Sequence, residues 1–117
     1  GHSMGAALCL VAATEMSARL PQPVHSFSFA CPRVGDCAFI DVAEKLCAEV
    51  VVVNNSLDIV PAMPLPVFPD PSKPDDPKAL LVYCNPRKML TFTLQRNSIE
   101  LNHSLPVYAA GLAELGL

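Results

Sequence analysis

The spacing of apolar positions along the chain changes repeatedly between helical and strand-like patterns. Apolar residues recur three and four positions apart from Met4 to Leu20, which predicts a helix that ends before two nearby prolines. Phenylalanines alternate with serines over Val24–Ala30, which predicts a strand. A second helical pattern begins after Asp36, a good N-cap residue, and extends to about Ala48. Helices that alternate with strands indicate a parallel α/β sheet.

The strongest strand pattern is the run of four valines at 50–53. A continuous β-branched run is typical of a strand that is covered on both faces, so it predicts the centre of the sheet. Two further short strands are predicted over Leu80–Tyr83 and Leu90–Leu94, on either side of a turn. A final helix is predicted over Ser104–Leu115, with Pro106 in its first turn.

More than half of the twelve prolines lie in residues 61–79, together with three aspartates. Proline and aspartate favour turns over regular elements. This composition predicts an irregular loop that is not part of the sheet.

Composition narrows the class of protein further. Half of the residues are apolar and only 16% are charged, which favours a packed core over disorder. The net charge of −3 indicates no basic surface for nucleic acid, and no apolar stretch is long enough to span a membrane. The five cysteines form no C-x-x-C pair and no histidine stands at metal-ligand spacing, so no metal site is predicted. The sequence calls for no organic cofactor either. Their odd number weakly favours an intracellular compartment, and nothing else indicates localisation.

Candidate chemistry begins at the first residues, Gly1-His2-Ser3-Met4-Gly5, which read G-x-S-x-G and precede a predicted helix. This is the pattern of a nucleophile elbow, a sharp turn that exposes a serine hydroxyl and offers the next backbone N–H, that of Met4, to an oxyanion. Small residues are needed beside the serine, and Gly1 and Gly5 meet that requirement. An elbow follows a strand, so we expect an internal or C-terminal piece of a larger domain. The alternative is a glycine-rich turn in which Ser3 caps the helix.

A serine nucleophile needs a base and an orienting carboxylate. His2 should point away from the serine hydroxyl and His25 lies inside a predicted strand, which leaves His103, in a loop before the last helix. Asp58 follows the central strand, at the edge where Ser3 should also emerge, although an ordinary turn aspartate explains that position equally well. The order of Ser3, Asp58 and His103 is the order of nucleophile, acid and base in α/β-hydrolases.

Four segments resemble those of the class 3 lipases, the fungal-lipase-like α/β-hydrolases. Residues 1–7 resemble the family pattern G-H-S-L-G-G-A, and residues 29–36 resemble F-G-x-P-R-V-G-N. Residues 54–61 contain a match to N-x-x-D-x-V-P, and residues 102–108 resemble the family's final H-x-x-x-Y segment. The resemblance implies a Ser-His-Asp triad of Ser3, His103 and Asp58. It also implies that the family's second oxyanion donor and lid precede the elbow, outside this sequence.

The resemblance implies that residues 1–117 are the C-terminal portion of one α/β-hydrolase domain, a mostly parallel sheet flanked by helices and incomplete at its N-terminus. The implied function is that of a serine carboxylic-ester hydrolase, a triacylglycerol or acylglycerol lipase whose substrate is a lipid or other ester, in some cases at a lipid–water interface. Two alternatives stay open. One is a non-lipase esterase or thioesterase, and the other is an inactive hydrolase-like fragment that serves as a folded or lipid-binding scaffold.

Overall fold

A three-stranded parallel sheet lies at the centre of the fold, with helices on both of its faces. The computed structural model describes residues 1–116. In chain order the elements are α1 (Met4–Arg19), β1 (His25–Phe29), α2 (Cys37–Leu46), β2 (Glu49–Asn55), a 3₁₀ turn (Val60–Ala62), β3 (Val67–Pro69), β4 (Leu80–Val82), β5 (Met89–Phe92), α3 (Ile99–Asn102) and α4 (Leu105–Glu114). Each predicted helix and strand is confirmed, with ends that differ by at most two residues.

The strand order is β1-β2-β5, so the four-valine strand is central, and both of its pairings are parallel. Its valines are nearly inaccessible, as predicted for a strand covered on both faces. Val50 and Val52 pack toward α1 and α2, while Val51 and Val53 pack toward α4. Because the strands are parallel, their carboxyl ends meet at one edge of the sheet, and the loops that follow them lie side by side.

Helix α1 contacts the sheet through small side chains. Ala6 and Ala13 are buried beside Leu10, so the helix axis can lie close to the strands. Leu8 and Val11, two of the apolar residues three positions apart that indicated the helix, are exposed instead. The apolar pattern therefore predicted the helix correctly but did not identify its buried face, because apolar residues occur on more than one side of it.

The Pro-rich segment 61–79, expected to be an irregular loop, contains the three-residue strand β3. This strand pairs antiparallel with β4, so the two form a separate ribbon beside the main sheet. Strands β4 and β5, predicted on either side of a turn, do not pair with each other. A disulfide between Cys37 and Cys84 joins the start of α2 to the chain just after β4. No helix within residues 1–116 is both long and apolar enough to cross a membrane.

Candidate active site

Ser3 lies in a sharp turn between the edge of the sheet and α1. Its backbone N–H donates to the carbonyl of Phe29 at 3.0 Å, and α1 begins at the next residue, Met4. Ser3 has φ 56° and ψ −130°, a conformation that costs a non-glycine residue roughly 1–3 kcal/mol and that is concentrated at functional sites. The side chain makes no capping hydrogen bond, so the interpretation of Ser3 as an ordinary helix cap is wrong.

The two glycines of the motif differ in what surrounds them. A Cβ atom on Gly1 would lie 2.2 Å from the carbonyl oxygen of Gly5 and 2.9 Å from the Cα atom of Ala6, so no larger residue fits without a backbone shift. A Cβ atom on Gly5 would have no atom within 4 Å. The steric reason given for a small residue therefore applies to Gly1 and not to Gly5.

Asp58 follows the carboxyl end of β2, and its side chain is fully buried. A buried carboxylate needs hydrogen-bond donors to replace the lost water. Its Oδ1 accepts the Val60 N–H at 2.9 Å, and its Oδ2 accepts the Tyr108 hydroxyl at 2.7 Å. The same Oδ2 lies 2.7 Å from Nδ1 of His103.

His103 follows the four-residue helix α3 and lies between the other two candidates. Its Nε2 lies 2.7 Å from Oγ of Ser3, while its Nδ1 faces Asp58. An ionised carboxylate only accepts, so Nδ1 carries the proton that is donated to Asp58, and Nε2 is left to accept the Ser3 hydroxyl. The structure therefore places the three side chains in one hydrogen-bonded chain at the carboxyl edge of the sheet.

This arrangement has the geometry required for nucleophilic catalysis. A base in hydrogen-bond contact with a serine, itself oriented by a buried carboxylate, is the arrangement that activates a hydroxyl for attack on a carbonyl. Met4 is the first residue of α1, so its N–H has no partner within the helix. That N–H and the positive end of the helix dipole lie beside Ser3, where an oxyanion would form.

Two residues at the site were not predicted. Tyr108, which ends the segment that begins at His103, is buried, and burial raises its pKa, so the hydroxyl stays protonated and donates to Asp58. Arg33 belongs to the P-R-V-G segment and holds the turn after Asp58: its N–H donates to Met63 at 2.8 Å and its guanidinium to Pro64 at 2.7 Å. Only their places in family motifs could have indicated them.

The other two histidines occupy different positions relative to the site. His2, expected to point away from the Ser3 hydroxyl, places its Nε2 2.8 Å from the carbonyl oxygen of His103. His25 is exposed at the start of β1, and its Nδ1 lies 3.7 Å from Glu49. In the part of the chain that the structure describes, no three His, Cys, Asp or Glu side chains lie close enough to hold a metal ion.

Comparison with known proteins identifies a family. The model of the family described as "Lipase (class 3)" matches residues 1–68, more than half of the chain. The match includes Ser3 and Asp58 and ends before His103.

Several curated proteins are similar to the same half of the chain. The "Secreted mono- and diacylglycerol lipase LIP4" of Malassezia restricta is 40% identical over 63 residues, which are 52% of this chain and 21% of that protein. "Phospholipase A1-II 4" of Oryza sativa subsp. japonica is 44% identical over 70 residues, 55% of this chain and 18% of that protein. "Phospholipase A1-Igamma3, chloroplastic" of Arabidopsis thaliana is 37% identical over 73 residues, which are 55% of this chain and 14% of that protein. The aligned part is therefore about a fifth or less of each relative's length.

Proposed function

The chain belongs to the class 3 lipase family, and on that premise we propose that it is a serine carboxylic-ester hydrolase whose triad is Ser3, His103 and Asp58. The observation that carries the proposal is the pair of 2.7 Å contacts from the His103 ring, one to the serine hydroxyl and one to the buried carboxylate. Contacts of this length on both ring nitrogens are what a general base needs.

The mechanism is acyl transfer through a covalent intermediate. Ser3 Oγ attacks the ester carbonyl while His103 Nε2 takes the hydroxyl proton, and the same proton passes to the alcohol oxygen as the ester bond breaks. Water then attacks the acyl-serine and gives a proton to His103, which passes it to Ser3 Oγ as the acyl–Oγ bond breaks, so that the fatty acid leaves and the serine hydroxyl and neutral His103 are restored. Asp58 stabilises the imidazolium form of His103.

The N–H of Met4 is proposed as one donor to the oxyanion. It lies at the first position of α1, without a helical partner and next to the attacking oxygen. A single oxyanion donor is worth about 10²–10³ in rate, so the start of α1 has a direct part in the chemistry.

The proposed substrate is a glycerolipid ester with long acyl chains. Exposed apolar side chains flank each member of the triad along the chain: Met4 beside Ser3, Leu57 and Ile59 beside Asp58, and Leu101 and Leu105 near His103. An acyl chain gains about 0.8 kcal/mol for each methylene buried against such a surface. The names of the relatives refer to mono- and diacylglycerols and to phospholipids, which are the first and second candidate substrates.

The test is fatty-acid release from mono-, di- and triacylglycerol emulsions, from phosphatidylcholine vesicles and from a short-chain nitrophenyl ester. The complete protein should release fatty acid from long-chain glycerol esters, and Ser3→Ala should abolish that release. The control Ser72→Ala changes an exposed serine of the Pro-rich segment and should have no effect. Hydrolysis of the short-chain ester alone would indicate the esterase alternative. A folded protein without activity on any ester would contradict the proposal and favour the scaffold alternative.

A further inference from the structure

The segment that carries the base has little local structure of its own. His103 follows α3, a helix of four residues whose Ile99 and Leu101 are exposed. One helical turn is marginal in water, because its formation fixes several dihedral angles for a single hydrogen bond. Contacts with other parts of the chain must therefore hold the ring of His103 against Ser3 and Asp58.

Two side-chain donors hold consecutive carbonyl groups of this segment. Asn55 Nδ2 donates to the carbonyl oxygen of Asn102 at 3.1 Å, and His2 Nε2 donates to that of His103 at 2.8 Å. Because a carbonyl oxygen only accepts, the proton of the His2 ring must lie on Nε2. Both carbonyls belong to the end of α3, where carbonyl groups have no partner within the helix.

The two donors come from the parts of the chain that carry the other members of the triad. His2 precedes Ser3, and its ring lies 4.8 Å from the ring of His103 between centroids, with an angle of 35° between the planes. Asn55 ends β2, and its backbone carbonyl accepts the N–H of Asp58 at 3.0 Å. One donor therefore connects the base to the nucleophile, and the other connects it to the acid.

The hydrogen bonds of Asn55 explain why an asparagine suits its position. The residue is 1% exposed. Its Nδ2 donates to two carbonyl oxygens, those of Leu94 and Asn102, and its Oδ1 accepts two N–H groups, those of Leu57 and Leu94. An aspartate of the same shape would turn two donors into an acceptor that faces two carbonyl oxygens, and the segment before His103 would have to move away.

We propose that His2 and Asn55 are positioning residues, which fix the base His103 between Ser3 and Asp58 by hydrogen bonds to the backbone at 102 and 103. This proposal rests on the function proposed above. Its consequence is that loss of either donor should reduce turnover more than substrate binding, because the donors act on the base and not on the ester.

The first test distinguishes the effect of the His2 hydrogen-bond donor from the effect of its ring. His2→Phe keeps a flat ring and loses the donor, so kcat for a nitrophenyl ester should fall by about tenfold or more while KM changes by less than about twofold. His2→Gln keeps an N–H donor close to the position of Nε2 and should recover kcat to within about threefold of the original protein. His25→Phe, the same change at an exposed histidine, is the control and should be neutral. Equal losses in both His2 variants, or an unchanged kcat in His2→Phe, would overturn the role of His2.

The second test uses the rate of fluorophosphonate labelling of the serine. Asn55→Asp should reduce that rate by up to about a hundredfold, because a displacement of about 1 Å in a catalytic group has an effect of that size. Asn97→Asp makes the same change at an exposed position and should label at the original rate. An unchanged labelling rate in a folded Asn55→Asp protein would overturn the role of Asn55. If that variant does not fold, the His2 pair decides the proposal.

The unsubstituted protein separates failure of this inference from failure of the proposed function. If it is folded and neither labels nor hydrolyses esters, the proposed function is wrong and the positioning role is wrong with it. If it labels at Ser3 but His2→Phe and Asn55→Asp label equally fast, only the positioning role is wrong.

Discussion

Asp58 is a buried carboxylate whose hydrogen-bond donors come from three separate parts of the chain. The Val60 N–H comes from the following turn, the hydroxyl of Tyr108 from α4, and the ring of His103 from the segment between α3 and α4. Because these donors fix both oxygens, the carboxylate can hold the His103 ring in a single orientation. The proposed role of Asp58 is therefore to orient the His103 ring as well as to stabilise its positive charge.

The first prediction concerns the orientation of the His103 ring. In Asp58→Asn, an amide N–H can face Nδ1 of His103, which would favour the proton on Nε2 and leave no acceptor for the Ser3 hydroxyl. We expect kcat to fall by about 10⁴-fold with little loss of folded protein, as measured by ester hydrolysis and circular dichroism. Asp41→Asn, at an exposed position of α2, is the control. Similar activities in the two variants would show that Asp58 is an ordinary turn aspartate.

At the scale of elements, α4 covers one face of the sheet and brings Tyr108 to Asp58. The helix is buried through Val107, Tyr108 and Gly111, and the ring of Phe92 on β5 packs edge-on against Tyr108 at 5.2 Å between centroids. Gly111 allows this approach, because a Cβ atom there would lie 2.4 Å from the Phe92 ring. The position of Tyr108, which donates to Asp58, therefore depends on a glycine one helical turn away.

The second prediction compares one substitution in two helices. Gly111→Ala should lower the free energy of unfolding by about 1–3 kcal/mol, since the Phe92 ring is buried and has little room to move. Gly5→Ala has open space around the new methyl group and should raise stability by about 0.5–1 kcal/mol through helix propensity. Urea unfolding of both variants measures the difference. Unchanged or raised stability in Gly111→Ala would contradict the packing of α4 described above.

The sequence predicts regular elements better than it predicts their contacts. The helix over Met4–Arg19 and the strand over Glu49–Asn55 follow from local patterns, so both were predicted. The pairing of β3 with β4 was not, because it joins distant segments across a proline-rich loop. Helix α3 was missed because a helix of four residues, of which only Ile99 and Leu101 are apolar, is too short to show a helical period.

In the candidate site too, the residues could be predicted but their long-range contacts could not. Ser3, Asp58 and His103 could be selected because motifs and chain order indicate them, although their catalytic roles stay predictions. The contacts of His2 and Asn55 could not be predicted, because they depend on the assembled fold. His2 contacts a residue 101 positions away in the sequence, and Asn55 contacts one 47 positions away.

At the scale of the whole molecule, the candidate site depends on most of the chain. Ser3 and His103, whose side chains are joined by a hydrogen bond, are 100 positions apart in the sequence. Strand β2, which leads to Asp58, is paired on both sides and buried on both faces. Helix α4, which follows His103, packs on one face only and exposes its outer side. The segment with His103, the proposed base, is therefore the part of the candidate site that should open first.

The third prediction follows from this difference. Hydrogen exchange should be faster in α4 than in β2, because a helix on one face of a sheet can open without unfolding the central strand. Ester hydrolysis should be lost at denaturant concentrations that open α4 while β2 is still protected. Mass spectrometry of exchanged peptides, with activity measured in parallel, tests both statements. Equal protection of 49–55 and 105–114 would contradict the prediction.

The central claim is that the hydroxyl of Ser3 is the nucleophile, and the most direct measurement is the site of a fluorophosphonate adduct. The account predicts one adduct, mapped by peptide mass spectrometry to Ser3, which is absent from Ser3→Ala and forms much more slowly when His103 is replaced by alanine. An adduct on another serine, such as Ser104 beside the proposed base, would contradict the account. So would ester hydrolysis that persists in Ser3→Ala.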